Sequence, residues 1–279
     1  MTDRYMVVGN PIAHSRSPQI HTLFAQQTHQ DILYTKLKVE HGTFPDIVQK
    51  FQEMGGKGLN ITVPYKHEAW DLADERSSRA ELAGAVNTLL IREDGSRFGE
   101  NSDGIGLLLD LMQNYGVVIK DKKVLVLGAG GAVRGVLEPL LAEQPKQLTI
   151  TNRTAERAED LAELFANYGN VDGGGYDELD GQHYDLVING TAASLQGELP
   201  PLPFDLLAEG ATCYDMMYSA EPTPFMQWGS EYGANKVLDG LGMLVEQAAE
   251  SFALWRGVRP ETTSVIELLR KDLNGEIGR

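Results

Sequence analysis

The chain has 279 residues, of which 42% are hydrophobic and 23% charged, a composition typical of a folded protein rather than a disordered one. Its net charge of −16 argues against a nucleic acid or an anionic membrane as partner, because both attract cationic surfaces. The single cysteine, Cys213, excludes an intramolecular disulfide and a cysteine-based zinc site.

Three further absences narrow the class of protein. No apolar run approaches the roughly 18 residues that a membrane helix needs. The first residues lack the cationic and apolar regions of a signal peptide. The six histidines show no metal-ligand spacing, so we predict no metal site. We expect a cytoplasmic protein of about two domains, since domains average ~150 residues.

The first hundred residues alternate β-like and helical segments. Such alternation is typical of a parallel or mixed sheet with helices on its faces. Apolar residues recur at helical spacing after residues 17 and 43. Asp94-Gly95 separates two short apolar runs and predicts a hairpin. The predicted strands are residues 5–9, 32–39, 58–63, 86–92 and 96–99.

A second α/β segment follows an amphipathic helix predicted over residues 103–115. Val124-Leu-Val-Leu is a continuous apolar run, as expected of a strand that is buried on both faces. Helices predicted to end near residues 141 and 168 alternate with further strands at 148–151, 184–189, 212–216 and 236–238, and two helices, 241–255 and 262–273, end the chain. This order predicts a doubly wound Rossmann-type sheet.

A glycine-rich turn follows the strand at residue 127. Gly128, Gly130 and Gly131 stand between a buried strand and a helix, where the backbone of a dinucleotide-binding turn approaches a pyrophosphate. Val133 occupies the place of the third glycine of that pattern. The glycines alone therefore leave a purely structural turn open as the alternative.

The end of the next strand favours NADP over NAD. An NAD-selective site carries Asp or Glu at this point, whereas this chain has Asn152-Arg153-Thr154 and then Arg157. Guanidinium groups suit a 2′-phosphate, which they bind through charge-assisted hydrogen bonds. Residues 120–157 hold seven basic and four acidic side chains, whereas residues 158–235 hold 14 acidic ones and no Lys or Arg. Arg153 and Arg157 thus lie in a locally basic stretch of the otherwise acidic C-terminal half of the chain.

Polar residues gather at the strand ends of the N-terminal half. Any one of them is explained equally well by a half-solvated sheet face. Together, hydroxyl, amide, lysine and carboxylate groups at neighbouring strand ends suggest a pocket for a small polyhydroxylated acid. The residues are Ser15, Ser17, Asn60, Thr62, Lys66, Asn87, Thr88 and Asp103.

Eight motifs in this order resemble those of the shikimate dehydrogenase family, from about residue 5 to residue 257. The first half carries Pro11-Ile-Ala-His-Ser-Arg-Ser-Pro, Leu59-Asn-Ile-Thr-Val-Pro-Tyr-Lys, Gly84-Ala-Val-Asn-Thr and Gly99-Glu-Asn-Ser-Asp-Gly. The second half carries Gly128-Ala-Gly-Gly-Ala-Val-Arg, Asn152-Arg-Thr, Tyr214-Asp-Met-Met-Tyr and Asp239-Gly-Leu-Gly-Met-Leu-Val-Glu-Gln-Ala.

This resemblance implies NADPH-dependent reduction of 3-dehydroshikimate to shikimate, a step toward chorismate and the aromatic amino acids. It also implies two α/β domains. Residues 1–102 and 240–279 are expected to form a substrate-binding domain with a mainly parallel sheet, on which the C-terminal helices pack. Residues 103–239 are expected to form the NADP-binding domain. We expect a monomer or a homodimer.

The resemblance also implies roles for particular residues. Lys66 and Asp103 correspond to the catalytic pair, and Ser15 and Ser17 to the groups that bind the substrate carboxylate. The other implied substrate-binding residues are Asn60, Thr62, Asn87, Tyr218 and Gln247. The implied cofactor-binding residues are Gly128, Ala129, Gly130, Gly131, Ala132, Asn152, Arg153, Thr154, Arg157, Thr191, Met216 and Gly240.

Two cofactor-side loops depart from the family pattern. The family commonly has Asn-Ala-Thr-Ser where this chain has Asn189-Gly-Thr-Ala, and Asn-Pro where it has Ser219-Ala220. A dehydrogenase that accepts quinate or uses NAD is one alternative. A non-catalytic NADP-binding regulator is another, but it would be expected to lack Lys66 or Asp103, and both are present.

Overall fold

A computed structural model describes residues 2–193 and 197–276. The chain divides into two compact units, one of Met1–Gly106 with Val245–Ile266 and the other of Leu107–Leu244 with Glu267–Arg279. Each unit contains one six-stranded sheet, which confirms the predicted α/β class. Among the described residues, no helix is both long and apolar enough to cross a membrane.

The first unit has a mixed sheet in the order β2-β1-β3-β5-β6-β4. The pairs β1–β2, β1–β3 and β4–β6 are parallel, and β5 and β6 form the predicted antiparallel hairpin. Its strands are β1 (Asp3–Gly9), β2 (Ile32–Lys38), β3 (Gly56–Ile61), β4 (Glu75–Arg76), β5 (Thr88–Ile91) and β6 (Arg97–Glu100). The helices between them are α1 (Ser17–Thr28), α2 (Phe44–Glu53), α3 (Lys66–Leu72) and α4 (Ser78–Ala83), and α5 (Asp103–Leu109) follows.

A long C-terminal helix, α9 (Leu241–Arg256), supplies residues that cover this sheet. The Trp255 indole stacks on Tyr5, with the ring centroids 4.6 Å apart, and its Nε1 donates to the carbonyl of Leu89 at 3.0 Å. A Cβ atom at Gly58 would lie 2.4 Å from Trp255 Nε1, so glycine is needed where the indole crosses β3. This packing confirms that C-terminal helical residues return to the N-terminal domain.

The second unit has an all-parallel sheet in the order β12-β11-β10-β7-β8-β9. Its strands are β7 (Lys123–Leu127), β8 (Gln147–Thr151), β9 (Val171–Gly174), β10 (Tyr184–Asn189), β11 (Leu207–Asp215) and β12 (Lys236–Asp239). The helices are α6 (Gly131–Ala142), α7 (Ala155–Phe165) and α8 (Pro224–Glu231); a π-helical turn (Asp110–Asn114) extends α5, and α10 (Thr263–Leu273) is the last helix. This is the doubly wound order, with its switch point between β7 and β10.

The apolar pattern of β7 explains its central place. Its residues Val124 to Leu127 are fully buried, because β8 and β10 flank the strand and helices cover the sheet. Cys213 on β11 is also fully buried in the core of this unit, and burial raises the pKa of its thiol to about 12. The thiol is therefore an inert packing group.

Candidate functional site

Lys66 and Asp103 form an ion pair in the first unit. Lys66 begins α3 and Asp103 begins α5, and the ammonium Nζ lies 2.5 Å from Asp103 Oδ2. Their side chains keep 28% and 15% of their exposure, so both are partly shielded from solvent but not fully buried. The structure thus brings together the two residues that were predicted to form the catalytic pair.

The Asn87 amide holds the other oxygen of the same carboxylate. Asn87 Nδ2 donates to Asp103 Oδ1 at 2.8 Å, while Asn87 Oδ1 accepts the backbone N–H of Ser102 at 3.0 Å. The Asp103 backbone N–H in turn donates to Asn101 Oδ1 at 3.1 Å. The carboxylate therefore has a fixed position, with one oxygen on the lysine and the other on the amide.

Asn60 lies next to Asn87 and is only 6% exposed. Its Oδ1 accepts the Tyr34 hydroxyl at 2.7 Å, and its Nδ2 donates to Thr88, Ser251 and the carbonyl of Asn87. Sequence reasoning placed Asn60 in the substrate site, but every hydrogen-bonding atom of its amide already has a protein partner. Neither Tyr34 nor Ser251 was singled out from the sequence.

The remaining predicted substrate residues fall in both units. Ser15 lies on the loop after β1 and Ser17 begins α1, and the Ser15 hydroxyl donates to that of Ser17 at 3.3 Å. Thr62 directly follows β3, and Gln247 on α9 accepts a long hydrogen bond from Ser102, 3.4 Å between oxygens. Tyr218 follows β11 in the second unit and is half-buried.

The glycine turn of the second unit lies at the switch point of its sheet. Gly128 follows β7 with φ +102°, a backbone conformation that favours glycine, and its N–H donates to the Thr151 carbonyl at 2.7 Å. A Cβ atom at Gly128 would lie 3.2 Å from Thr191 Cγ2, so the turns after β7 and β10 are in contact. Ligands of doubly wound sheets bind outside the strand ends at this point.

The N-terminus of α6 is exposed beside this turn. Gly130, Gly131 and Ala132 are all exposed, and Gly130 is the N-cap without a side-chain partner. The first N–H groups of a helix lack partners within it and attract an anion such as a phosphate. With Ala129 in the same turn, these residues form a backbone cradle that fits a pyrophosphate.

Two exposed arginines follow β8, Arg153 in the turn and Arg157 in the first part of α7. Arg153 and Arg157 are exposed, and within residues 2–193 and 197–276 neither makes an ion pair. By contrast, Arg76, Arg79, Arg92, Arg256, Arg259 and Arg270 all make ion pairs. Asn152 Nδ2 donates to the Thr154 carbonyl at 2.9 Å and closes the turn between them. The arrangement fits a 2′-phosphate.

The strand ends of β10 and β11 are tied by a buried amide–carboxylate pair. Asn189 Nδ2 donates to Asp215 Oδ1 at 3.1 Å, and Asn189 Oδ1 accepts the Thr191 hydroxyl at 2.7 Å. The Met216 N–H donates to the Asn189 carbonyl at 2.9 Å. A Cβ atom at Gly240 would lie 2.2 Å from the Met216 carbonyl oxygen, so Gly240 also belongs to this cluster.

Comparison with known proteins identifies the family. Family models described as the shikimate dehydrogenase substrate binding domain, shikimate / quinate 5-dehydrogenase and the shikimate 5′-dehydrogenase C-terminal domain match residues 7–89, 110–196 and 240–270. A protein of Alkalilimnicola ehrlichii named shikimate dehydrogenase (NADP(+)) is 58% identical over 98% of this chain and 100% of its own length. The chain belongs to the shikimate dehydrogenase family.

Solved structures of similar proteins share the fold. An Ael1 enzyme from Pseudomonas putida is 48% identical, with a TM-score of 0.91 over 96% of this chain and 98% of that one. The shikimate 5-dehydrogenase of Thermus thermophilus, solved in complex with NADP(H) and shikimate, is 30% identical, with a TM-score of 0.83 over 98% of this chain and 100% of that one. Membership of the shikimate dehydrogenase family confirms the resemblance that the motifs indicated.

Proposed function

We propose that the protein reduces 3-dehydroshikimate to shikimate reversibly, with NADPH as the reductant. The observation that carries this proposal is the Lys66–Asp103 ion pair, 2.5 Å between Nζ and Oδ2, in a cluster of amide and hydroxyl groups. The 58% identical relative bears the name of an NADP-dependent shikimate dehydrogenase. That name and the geometry point to one reaction, the reduction of a ring ketone to an alcohol.

Lys66 manages the proton of this reaction. When the carbonyl carbon gains a hydride, its oxygen gains negative charge and requires a proton. The Lys66 ammonium donates that proton and, before transfer, stabilises the developing charge. In the reverse direction, the neutral amine takes the proton from the alcohol. Asp103 holds the amine on one side, so that its remaining N–H bonds face the ligand.

The second unit offers the features that NADPH binding requires. When bound, the cofactor supplies the hydride, and the protein's part is to hold it in place. The exposed N-terminus of α6 fits the pyrophosphate, and Arg153 and Arg157 fit the 2′-phosphate. Thr191, Met216 and Gly240, near one another at the strand ends, are assigned to the nicotinamide end.

The first unit offers groups for the acid substrate. Ser15, on the loop after β1, and Ser17, at the start of α1, carry the hydroxyl groups that we assign to the substrate carboxylate. Thr62, Asn87 and Gln247 supply further polar groups for ring hydroxyls. In this proposal residues 1–102 and 240–279 form the substrate domain and residues 103–239 the cofactor domain, with Asp103 and Gly240 directly at the two boundaries.

The test is a spectrophotometric assay of shikimate oxidation with NADP, in which the absorbance of the reduced cofactor is followed. We expect turnover by the wild-type protein and a kcat lower by roughly 10²–10⁴-fold in Lys66→Ala, the usual scale for a general acid–base group, with KM little changed. Lys57→Ala, which removes an exposed lysine on β3 of the same unit, is the matched control and should keep wild-type kcat.

Parallel arms of the assay separate the alternatives. Equal kcat/KM with quinate would make the protein a shikimate/quinate dehydrogenase, and equal kcat/KM with NAD would contradict the arginine assignment. Tight NADP binding without turnover of either acid would favour the non-catalytic regulator. Near-normal kcat in Lys66→Ala would refute the proposed role of the lysine.

A further inference from the structure

A buried group of polar side chains lies under the Lys66–Asp103 pair in the first unit. It joins β2, β3, β5 and α9 through Tyr34, Asn60, Thr88 and Ser251. Thr88 is fully buried and Ser251 is 1% exposed. Such groups cost folding free energy unless each donor and acceptor is satisfied, so their hydrogen bonds define one arrangement.

The directions of the hydrogen bonds from Tyr34 to Asn87 follow from the Tyr34 hydroxyl. Its hydroxyl donates to Asn60 Oδ1 at 2.7 Å, which turns Asn60 Nδ2 toward Thr88 Oγ1 at 3.1 Å and Ser251 Oγ at 3.0 Å. Since Thr88 accepts from Asn60, its single hydroxyl proton is free to go to Asn87 Oδ1, 2.9 Å away. Ser251, 2.7 Å from Thr88, then donates to it or to the carbonyl of Gln247 at 3.0 Å.

The last step of this chain of donors sets the orientation of an amide in the site. Asn87 Oδ1 receives the Thr88 hydroxyl and the Ser102 N–H, so Asn87 Nδ2 faces the other way, toward Asp103 Oδ1 at 2.8 Å. If the amide flipped, its oxygen would face the carboxylate, its NH₂ would face the Ser102 N–H, and the Thr88 hydroxyl would have to turn its proton away from Asn87. Thr88 therefore helps to exclude the flipped amide.

We propose that Thr88 is a positioning residue for the reaction, whose buried hydroxyl orients the Asn87 amide and through it holds Asp103 against Lys66. This inference rests on the proposed function, because it assigns Thr88 a part in the same chemistry. Thr88 touches neither Lys66 nor Asp103 in this network; it acts through Asn87. Asn60 and Ser251 in turn form hydrogen bonds with the Thr88 hydroxyl.

The test compares Thr88→Val, which keeps the side-chain volume but loses the hydroxyl, with Thr88→Ser, which keeps the hydroxyl. We expect Thr88→Val to lower kcat by about 5- to 50-fold with KM changed less than about 3-fold, and Thr88→Ser to stay within about 3-fold of the wild type in both. Thr149→Val is the matched control, since Thr149 is a buried strand threonine whose hydroxyl donates to Asp172 in the other unit.

A second readout does not depend on turnover. The side-chain NH₂ resonances of Asn87, assigned by comparison with Asn87→Asp, are expected to shift or broaden in Thr88→Val and to remain unchanged in Thr149→Val. Unchanged Asn87 resonances would overturn the inference, whatever the activity. Failure of the wild type to oxidise shikimate would instead count against the proposed function.

Three kinetic results would also overturn the inference. The first is a kcat of Thr88→Val within about 2-fold of the wild type, and the second is a Thr88→Ser variant that is as impaired as Thr88→Val. The third concerns the Asp103→Asn background, in which the effect of Thr88→Val should shrink because both residues act through the same carboxylate. An undiminished effect there would contradict the inference. If Thr88→Val does not fold, Ser251→Ala takes its place. It removes one of the acceptors of Asn60 and the hydroxyl that lies 2.7 Å from Thr88, and unchanged kcat and Asn87 resonances there would refute the inference.

Discussion

The stability of the protein should depend on pH through one buried histidine. His21 on α1 is fully buried and stacks on Tyr34, with the ring centroids 4.1 Å apart and the planes at 7°. Within the described residues, neither ring nitrogen has a hydrogen-bond partner of ordinary geometry. Burial lowers the pKa of His21 to about 3, and the nearby Asn60 amide, which favours the charged ring, does not outweigh it.

The sign and size of the effect follow from the direction of this pKa shift. Between pH 6.5 and 3 the unfolded chain binds a proton at His21 that the folded chain does not, so stability falls as the pH falls. Each pH unit below 6.5 removes about 1.4 kcal/mol, so the step from pH 7 to pH 5 removes about 2 kcal/mol from the free energy of unfolding. The loss vanishes when the residue cannot titrate.

Urea denaturation at pH 7, 6 and 5 tests this reasoning with the wild type and His21→Phe, which retains an aromatic ring against Tyr34. Carboxylates titrate in both proteins and cancel in the comparison, so the wild type should lose about 2 kcal/mol more than the variant. His29→Asn, at the exposed end of the same helix, is the control and should keep the wild-type dependence. Parallel pH dependence in the wild type and His21→Phe would refute the assigned protonation state.

Two further predictions concern the cofactor side. Replacing both Arg153 and Arg157 by Ser should raise KM for NADP at least about 10-fold and leave KM for NAD within about 3-fold, because only NADP carries the 2′-phosphate. Steady-state kinetics with both cofactors test this, and an equal rise in both KM values would contradict the assignment. Gly190→Ala should lower the free energy of unfolding by about 1–3 kcal/mol, since its Cβ would lie 2.4 Å from Val133 Cγ2, and adding Val133→Ala should restore part of the loss in thermal unfolding.

The predictable parts of the fold are those with a local pattern. Apolar runs bounded by turn residues marked β7, β8 and β10, and the alternation of elements predicted the parallel sheet. By contrast, β9 (Val171–Gly174) was missed because Val-Asp-Gly-Gly has little strand propensity, and it forms by pairing with β8. The two-residue β4 depends on β6 in the same way. The proposed domain boundaries stay a prediction.

The site residues also divide into those that the sequence predicted and those that it did not. Lys66 and Asp103 are 37 residues apart in sequence, and their family motifs, not any local pattern, suggested that they would meet. Ser251 carries no such signal, because a serine on a helix is indistinguishable from a surface residue until α9 is packed on the sheet. Its four hydrogen-bonding neighbours come from β3, β5, the loop before α5 and α9 itself. Only tertiary structure brings such groups together.

The departure from the family pattern at Gly190 has a structural explanation on the cofactor side. Val133, part of the family-like glycine turn, stands where the general dinucleotide pattern has its third glycine, and Gly190 stands where the family commonly has alanine. In the structure the Val133 side chain fills the space in which a Cβ atom of residue 190 would lie, so the larger residue on α6 requires the smaller one after β10. The turn after β10 is meanwhile anchored by the buried Asn189–Asp215 pair, which does not depend on residue 190. Gly190 therefore lets the turn after β10 lie against Val133 of α6 at the switch point, where the cofactor is proposed to bind.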